Sequence, residues 1–221
     1  MGNSEEIRRI GVFGGTFDPV HKGHLAVARG VLAEYDLEEL LFVPAPYPPH
    51  KNRRMTDFRH RVAMLEAVLA GEPKIFVSLI EAQRKPPSYT LDTILAMRKQ
   101  MGNHHYFLLI GADSFIEVHL WYRYRDLFRY ADLIVAARPG IDRQRIIRQV
   151  DNLPGPFCYR SQQDSWSRDD GFHVYYYSSV QADQSSSEIR QRLRRKQTVQ
   201  DLLPPEVMHY ITKHGLYGTS G

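Results

Sequence analysis

The chain has little cysteine, no long apolar run and only a small charge imbalance, and each shortage removes a class of protein. One of its 221 residues is cysteine, Cys158. That excludes an internal disulfide and any all-cysteine zinc site, and it suits a reducing cytosol. No apolar run approaches the ~20 residues that cross a bilayer, so no membrane partner is expected. The start, MGNSEEIRRI, lacks the apolar core of a signal peptide, and Glu6 stands where a myristoylation signal takes Ser or Thr. A cytoplasmic protein is expected. The formal net charge is +4 with ten histidines counted as neutral, too small to argue for a nucleic-acid partner. Repeats and low-complexity stretches are absent, and nothing reads as a linker to a second domain. Homo-oligomerisation is left open.

What is present is ordinary globular material, 43% apolar and 24% charged. A chain of this length buries roughly 70% or more of its unfolded surface. One domain over residues 1–221 is expected, with C-terminal helices from about 185. Two local basic runs, KNRR (Lys51 to Arg54) and IRQRLRRK (Ile189 to Lys196), read either as solvated faces or as a surface for a polyphosphate.

Apolar periodicity predicts strands at Ile7–Gly15, Glu38–Ala45, Lys74–Leu79, His105–Asp113, Ala131–Gly140 and His173–Ser179. Helices are predicted between them at His24–Tyr35, Thr56–Gly71, Ser88–Gly102, Trp121–Tyr130 and Asp142–Val150. Thr56 is the expected cap of the second helix, and glycine ends the second and third. Ser161–Gly171 reads as a mobile loop. Two more helices close the chain, the last started by proline and stopped by Gly215. Alternating strands and helices imply right-handed crossovers and a mostly parallel sheet covered on both faces, an α/β Rossmann-like doubly wound fold with a small helical C-terminal part.

In such a sheet ligands bind beyond the carboxyl ends of the strands. The stretch GGTFDPVHKGH, Gly14 to His24, lies there, between the first strand and the first helix. Gly14 and Gly15 permit a positive φ and a close backbone approach. The helix start behind them offers free N–H groups and a partial positive charge, which suits phosphate. His21 and His24 face that same point. The stretch is not a GxxxxGK[ST] phosphate loop, a GxGxxG fingerprint or an HExxH zinc motif. A metal pair lacking an evident third ligand and two histidines serving only as loop caps remain as alternatives.

GGTFDPVHKGH resembles the (T/G)xxHxGH signature of the nucleotidylyltransferase superfamily, and within it the bacterial nicotinate-nucleotide adenylyltransferases. The resemblance extends in order through PPHK (Pro48 to Lys51), PSYTLDT (Pro87 to Thr93), IGADSF (Ile110 to Phe115), Trp121–Tyr122, ARPG (Ala137 to Gly140) and SSSEIR (Ser185 to Arg190). The family usually has threonine where Ser187 stands, which keeps the hydroxyl and drops a methyl. Residues 154–171 match nothing in the pattern and read as a variable insert.

The resemblance implies that ATP and nicotinate mononucleotide react to give deamido-NAD and pyrophosphate, with Mg²⁺ accompanying ATP. The nucleophile is a phosphate oxygen already ionised at pH 7. Catalysis is then positioning plus charge stabilisation, with no general base. It implies catalytic roles for His21, His24, Lys51 and Arg190. It implies ATP contacts at Gly14, Gly15, Thr16, Phe17, His24, Gly111, Asp113, Ser186, Ser187 and Arg190. It implies nicotinate mononucleotide contacts at Thr16, Lys51, Tyr89, Thr90, Trp121, Tyr122 and Arg138, with the pyridine ring stacked on Trp121. Read from the residues alone, Ser185 and Glu188 make a capping box, Lys51 is an exposed loop lysine, and the Trp121–Tyr122 pair reads either as core or, since Arg123, Arg125 and Asp126 argue against a fully buried helix, as one aromatic lining a cleft. Asp113 ends the fourth strand, where carboxylates accept from ribose hydroxyls. Arg192, Arg194 and Arg195 face solvent. A related transferase using nicotinamide mononucleotide or phosphopantetheine, and a non-catalytic nucleotide-binding module on the same fold, are the competing readings.

Overall fold

The computed structural model describes residues 6–47, 55–180 and 184–219. In chain order the elements are β1 (Arg9–Gly15), α1 (Lys22–Glu34), β2 (Glu39–Pro44), α2 (Phe58–Leu69), β3 (Ile75–Val77), α3 (Thr90–Met101), β4 (His105–Gly111), α4 (Ala112–Ile116), α5 (Tyr124–Leu127), β5 (Ala131–Ala136), α6 (Arg143–Asp151), β6 (Cys158–Arg160), β7 (Ser165–Ser167), β8 (His173–Tyr177), α7 (Ser186–Arg194) and α8 (Pro205–Lys213).

The strands form one sheet in the order β3-β2-β1-β4-β5-β8-β7-β6. From β3 to β8 all pairings are parallel, and β7 and β6 add an antiparallel edge. The chain leaves β1 towards β2 and β3, then returns to place β4 on the other side of β1. The order therefore reverses between β1 and β4, and a crevice opens at the carboxyl ends of those two strands.

Both faces of the sheet are buried, as the apolar strands require. Side chains alternate along each strand. On β4, Tyr106, Leu108 and Ile110 enter one core with α3 and α6. Phe107 and Leu109 enter the other, beneath α1, α2, α7 and α8. The two terminal helices thus complete the same core that holds α1. That places the start of α7 next to the start of α1.

Several expectations shift in detail. Asp57, not Thr56, caps α2, its Oδ1 accepting from the Arg59 N–H at 2.9 Å. The strand expected at 74–79 keeps three residues, and the helix expected at 121–130 keeps four. Asp113 lies in the first turn of α4 rather than on β4. The expected loop 161–171 contains β7, which pairs with β6 and β8. Segments of three residues fall below any periodicity window, so the sequence pattern hides them.

Gly30 marks a close contact between α1 and the sheet. A Cβ there would lie 1.8 Å from the Tyr177 hydroxyl oxygen, and Tyr177 is fully buried. Gly30→Ala raises helix propensity, yet overpacking of this kind costs about 1–3 kcal/mol. Thermal unfolding of the variant is expected to show a lowered Tm. A raised Tm would contradict the packing described.

Candidate active site

The first helix begins with its two histidines. His21 is the N-cap of α1 and His24 the third helical residue, the spacing of a capping box. Here both halves of the box are imidazoles. His21 Nδ1 accepts from the His24 N–H at 3.4 Å, and His24 Nδ1 accepts from the His21 N–H at 3.3 Å. The rings stack with centroids 3.6 Å apart and planes 25° apart. A ring nitrogen that accepts from an N–H carries no hydrogen, so in the neutral imidazole the proton sits on Nε2. Backbone geometry alone makes both side chains Nε2–H donors. His21 is 1% exposed. Burial, and then the Arg138 guanidinium, push its pKa down to about 4, so it is neutral at physiological pH. Phe13 and Phe17 pack edge-on against the His24 ring.

The glycines ahead of the helix serve differently from expectation. Gly14 and Gly15 both continue β1 in extended conformation, and the residue with positive φ is Phe17, at 50°. The reason lies in the ring of Phe17, which folds back over the strand end. A Cβ on Gly15 would lie 2.8 Å from it, whereas one on Gly14 would meet nothing within 4 Å. Phe17 is 3% exposed and packs against Phe13, Phe42 and His24. Its ring is therefore part of the core, and Phe17 also lines the crevice.

The start of α7 docks onto the same loop. Ser185 Oγ accepts from the Glu188 N–H at 3.1 Å, the expected cap. The Glu188 carboxylate does not return to complete a box; it accepts from Arg192 at 2.6 Å, since the i,i+4 arginine is within reach on the helix surface. Ser186 Oγ donates to the Pro19 carbonyl at 2.9 Å. Arg190 donates to the Asp18 carbonyl and, at 3.0 Å, to Ser187 Oγ. Arg194 and Arg195 are exposed, and Arg192 is half-exposed.

The two helix starts expected as separate anion sites therefore share one cavity of about 400 Å³. Its lining includes His21, His24, Asp113, Arg138, Ser187 and Arg190, together with Thr16, Phe17 and Ser186. Arg138 and Asp113 approach to 3.8 Å. They do so across Gly111, where a Cβ would lie 2.4 Å from Asp113 Oδ1 and 3.3 Å from Arg138 Nε.

The residues expected at a pyridine ring form a second patch. Tyr89 is the N-cap of α3 and Thr90 its first residue, so unbonded N–H groups of the first turn lie there, as predicted. The Tyr89 and Tyr122 rings stack at 4.3 Å. Trp121 is half-buried against the core, and Tyr122 is 48% exposed. None of these four borders the cavity above. Lys51 and the rest of KNRR lie outside the described residues.

Three residues that sequence reasoning missed tie the loop down. Asp18 is buried, and Tyr217 donates to its Oδ1 at 2.6 Å. Burial and that carboxylate push the Tyr217 pKa well up. Arg61, also buried, donates to the Thr16 carbonyl at 2.6 Å. The signal for Arg61 was its place among Phe58, Val62 and Leu65 on the apolar face of α2; Tyr217 gave none. Among the described residues no three His, Cys, Asp or Glu side chains converge as metal ligands, and no helix is long and apolar enough to cross a membrane.

Residues 12–192 match the cytidylyltransferase-like family, and the chain belongs to it. Within that class it falls among the nicotinate-nucleotide adenylyltransferases. It is 36% identical over 210 residues to the probable nicotinate-nucleotide adenylyltransferase of Trichlorobacter lovleyi, covering 95% of this chain and 99% of that one. It is 37% identical over 213 residues to the protein of that name from Bacillus pumilus, covering 96% and 99%. The nicotinic acid mononucleotide adenylyltransferase of Plasmodium falciparum, solved complexed with APC and with NaAD, superposes with TM-scores of 0.73 and 0.72. Its identity is 20%, with 96% of this chain and 98% of that one covered, so it shares the fold.

The depressed pKa of His21 makes a stability prediction. The unfolded chain binds a proton near 6.5 and the folded chain only near 4. Stability is therefore unaffected above about 6.5 and falls as pH drops towards 4, by about 3 kcal/mol in all. Denaturant titrations from pH 8 to pH 4 should show that His21→Asn, which keeps a good N-cap, loses less stability than the wild type across that window. Parallel curves for the two proteins would contradict a buried neutral His21.

Proposed function

We propose that this chain transfers the adenylyl group of ATP to nicotinate mononucleotide, releasing pyrophosphate and forming deamido-NAD, in the cytoplasm as a step of NAD biosynthesis. The observation that carries the reading is the pair of imidazoles whose Nδ1 atoms cap the start of α1 and which line one cavity together with Arg190. An oxygen of the mononucleotide phosphate attacks the α-phosphorus of ATP, and the bond from that phosphorus to the pyrophosphate oxygen breaks. The attacking oxygen is already ionised, so no residue has to remove a proton. The protein's task is to align two polyanions and to offset the charge gathering on the α-phosphate and the departing pyrophosphate.

In this reading His21 and His24 donate to the α-phosphate from the positive end of α1. At His21, whose pKa lies well below 7, a neutral imidazole suits the role, because its donor does not depend on pH near 7. Arg190 and Ser187, at the start of α7, take the β- and γ-phosphates, with the guanidinium offering a planar fork. Asp113, beside Gly111, accepts from the adenosine ribose. Magnesium enters bound to ATP, as part of the substrate; Mg²⁺ is commonly held by substrate phosphates with few protein ligands. The nicotinate carboxylate lies at the free N–H groups of Tyr89 and Thr90, where the helix start favours an anion, with Trp121 and Tyr122 beside the ring. Arg138 and Lys51 take the mononucleotide phosphate.

Pyrophosphate release with ATP and either mononucleotide tests the reading. A site of backbone donors favours the acid over the amide by at least about tenfold in kcat/KM, roughly 1.4 kcal/mol. Equal use of the two would rule out the carboxylate site at α3, and release with phosphopantetheine instead would reassign the substrate. His24→Ala should fold normally and lose about 10²- to 10³-fold in kcat. Full turnover by that variant would remove the donor role.

A further inference from the structure

Tyr217 holds a backbone conformation that tyrosine rarely adopts. It lies in the short turn after α8, with φ 58° and ψ 20°, a left-handed geometry that crowds the Cβ of a bulky residue. Gly215 and Gly218 nearby also have positive φ, and glycine takes that conformation freely. Tyrosine does not. Such a residue persists only where its surroundings hold it, and outliers of this kind gather at functional sites. In this conformation the half-buried side chain reaches Asp18, 199 residues away, and its hydroxyl donates to Oδ1 at 2.6 Å.

Asp18 lines the same cavity as Arg190. The residue is 4% exposed, and both oxygens of its carboxylate have donors. Oδ1 accepts from Tyr217, and Oδ2 accepts from the Thr56 N–H at 3.5 Å. Arg190 is anchored elsewhere. Its Nη1 donates to the Asp18 carbonyl, and its Nη2 donates to Ser187 Oγ at 3.0 Å. Guanidinium and carboxylate come no nearer than 3.9 Å, from Nη1 to Oδ2, outside hydrogen-bond distance. An arginine and an aspartate this close can close into a charge-assisted pair, which is among the stronger hydrogen bonds. The Tyr217 hydroxyl takes one of the oxygens such a pair would use.

We propose that Tyr217 is a positioning residue that holds the Asp18 carboxylate back from Arg190, so that the guanidinium stays open to a substrate polyphosphate. The proposal rests on the adenylyl-transfer reading, in which Arg190 takes phosphates of ATP. Without the hydroxyl, Oδ1 loses its donor, and the carboxylate can turn to the guanidinium beside it. A direct Asp18–Arg190 pair then competes with the phosphates. The loss falls on ATP binding, and saturating ATP overcomes it. It therefore appears in the KM for ATP rather than in kcat or in the KM for the mononucleotide.

Tyr217→Phe removes the hydroxyl and keeps the ring. Calorimetry with an ATP analogue, methylene-bridged between its α- and β-phosphorus atoms, should show binding weakened about tenfold, the scale of one hydrogen bond to a charged group. The KM for ATP should rise by the same factor, with kcat at saturating ATP and the KM for the mononucleotide near the wild-type values. In an Asp18→Asn background the same change should have little effect on analogue binding, because the amide carries no charge to compete. A merely structural tyrosine gives another result: Tm falls, and analogue binding weakens equally in both backgrounds or not at all. Either outcome overturns the proposal. Asp18→Asn alone leaves Tyr217 untouched and should bind the analogue at least as tightly as the wild type. Weaker binding there overturns the proposal as well. Failure of the wild-type chain to bind the analogue overturns the ATP reading beneath it instead.

Discussion

Two imidazoles share the first turn of α1, each accepting the other's backbone N–H at Nδ1. Everything else around the crevice depends on that exchange. It fixes where the ring protons are, and so makes donors of two side chains that could otherwise have been acceptors. It closes the helix start, which a bare N-terminus would leave with unsatisfied N–H groups. It also explains the spacing of the motif. Residues three apart at a helix start are the pair that can cap one another, and the two stacked rings then present their Nε2–H groups side by side.

The surroundings hold that arrangement from several directions. Phe13, Phe17 and Phe42 form an aromatic floor beneath His24. Arg61 holds the Thr16 carbonyl from α2, Tyr217 holds the Asp18 carboxylate from the C-terminal segment, and α7 docks through Ser186 and Arg190. Three separated parts of the chain therefore meet on residues 16–19. Burying an arginine, an aspartate and a histidine there is costly unless each is hydrogen-bonded. The reward is rigidity, which a reaction driven by alignment and electrostatics requires. The parallel sheet supplies the platform, since the crevice beside β1 and β4 is where its topology leaves room.

Much of this was legible in the sequence because its signals were long or chemically distinctive. The apolar strands at 9–15 and 105–111 and the helices at 22–34 and 90–101 show plain periodicity, and GGTFDPVHKGH and SSSEIR mark the two helix starts. What stayed hidden was short or distant. β6 and β7 have three residues each, too few for a pattern. Gly15 was read as a source of positive φ, whereas its smallness makes room for the Phe17 ring, a contact local spacing does not reveal. Asp18 meets Tyr217 across 199 residues, and no periodicity links them. The joining of two anion sites into one cavity also waited on the fold, because it depends on α7 packing in the same core as α1.

The tautomeric state of His21 and His24 tests the central claim most directly. Long-range ¹H–¹⁵N correlation spectra of the wild-type chain at pH 7, assigned with His21→Asn and His24→Ala, distinguish the two ring nitrogens. The account predicts that both imidazoles are neutral and protonated at Nε2, with Nδ1 unprotonated. A proton on Nδ1 of either ring, or an imidazolium at His21, would contradict it.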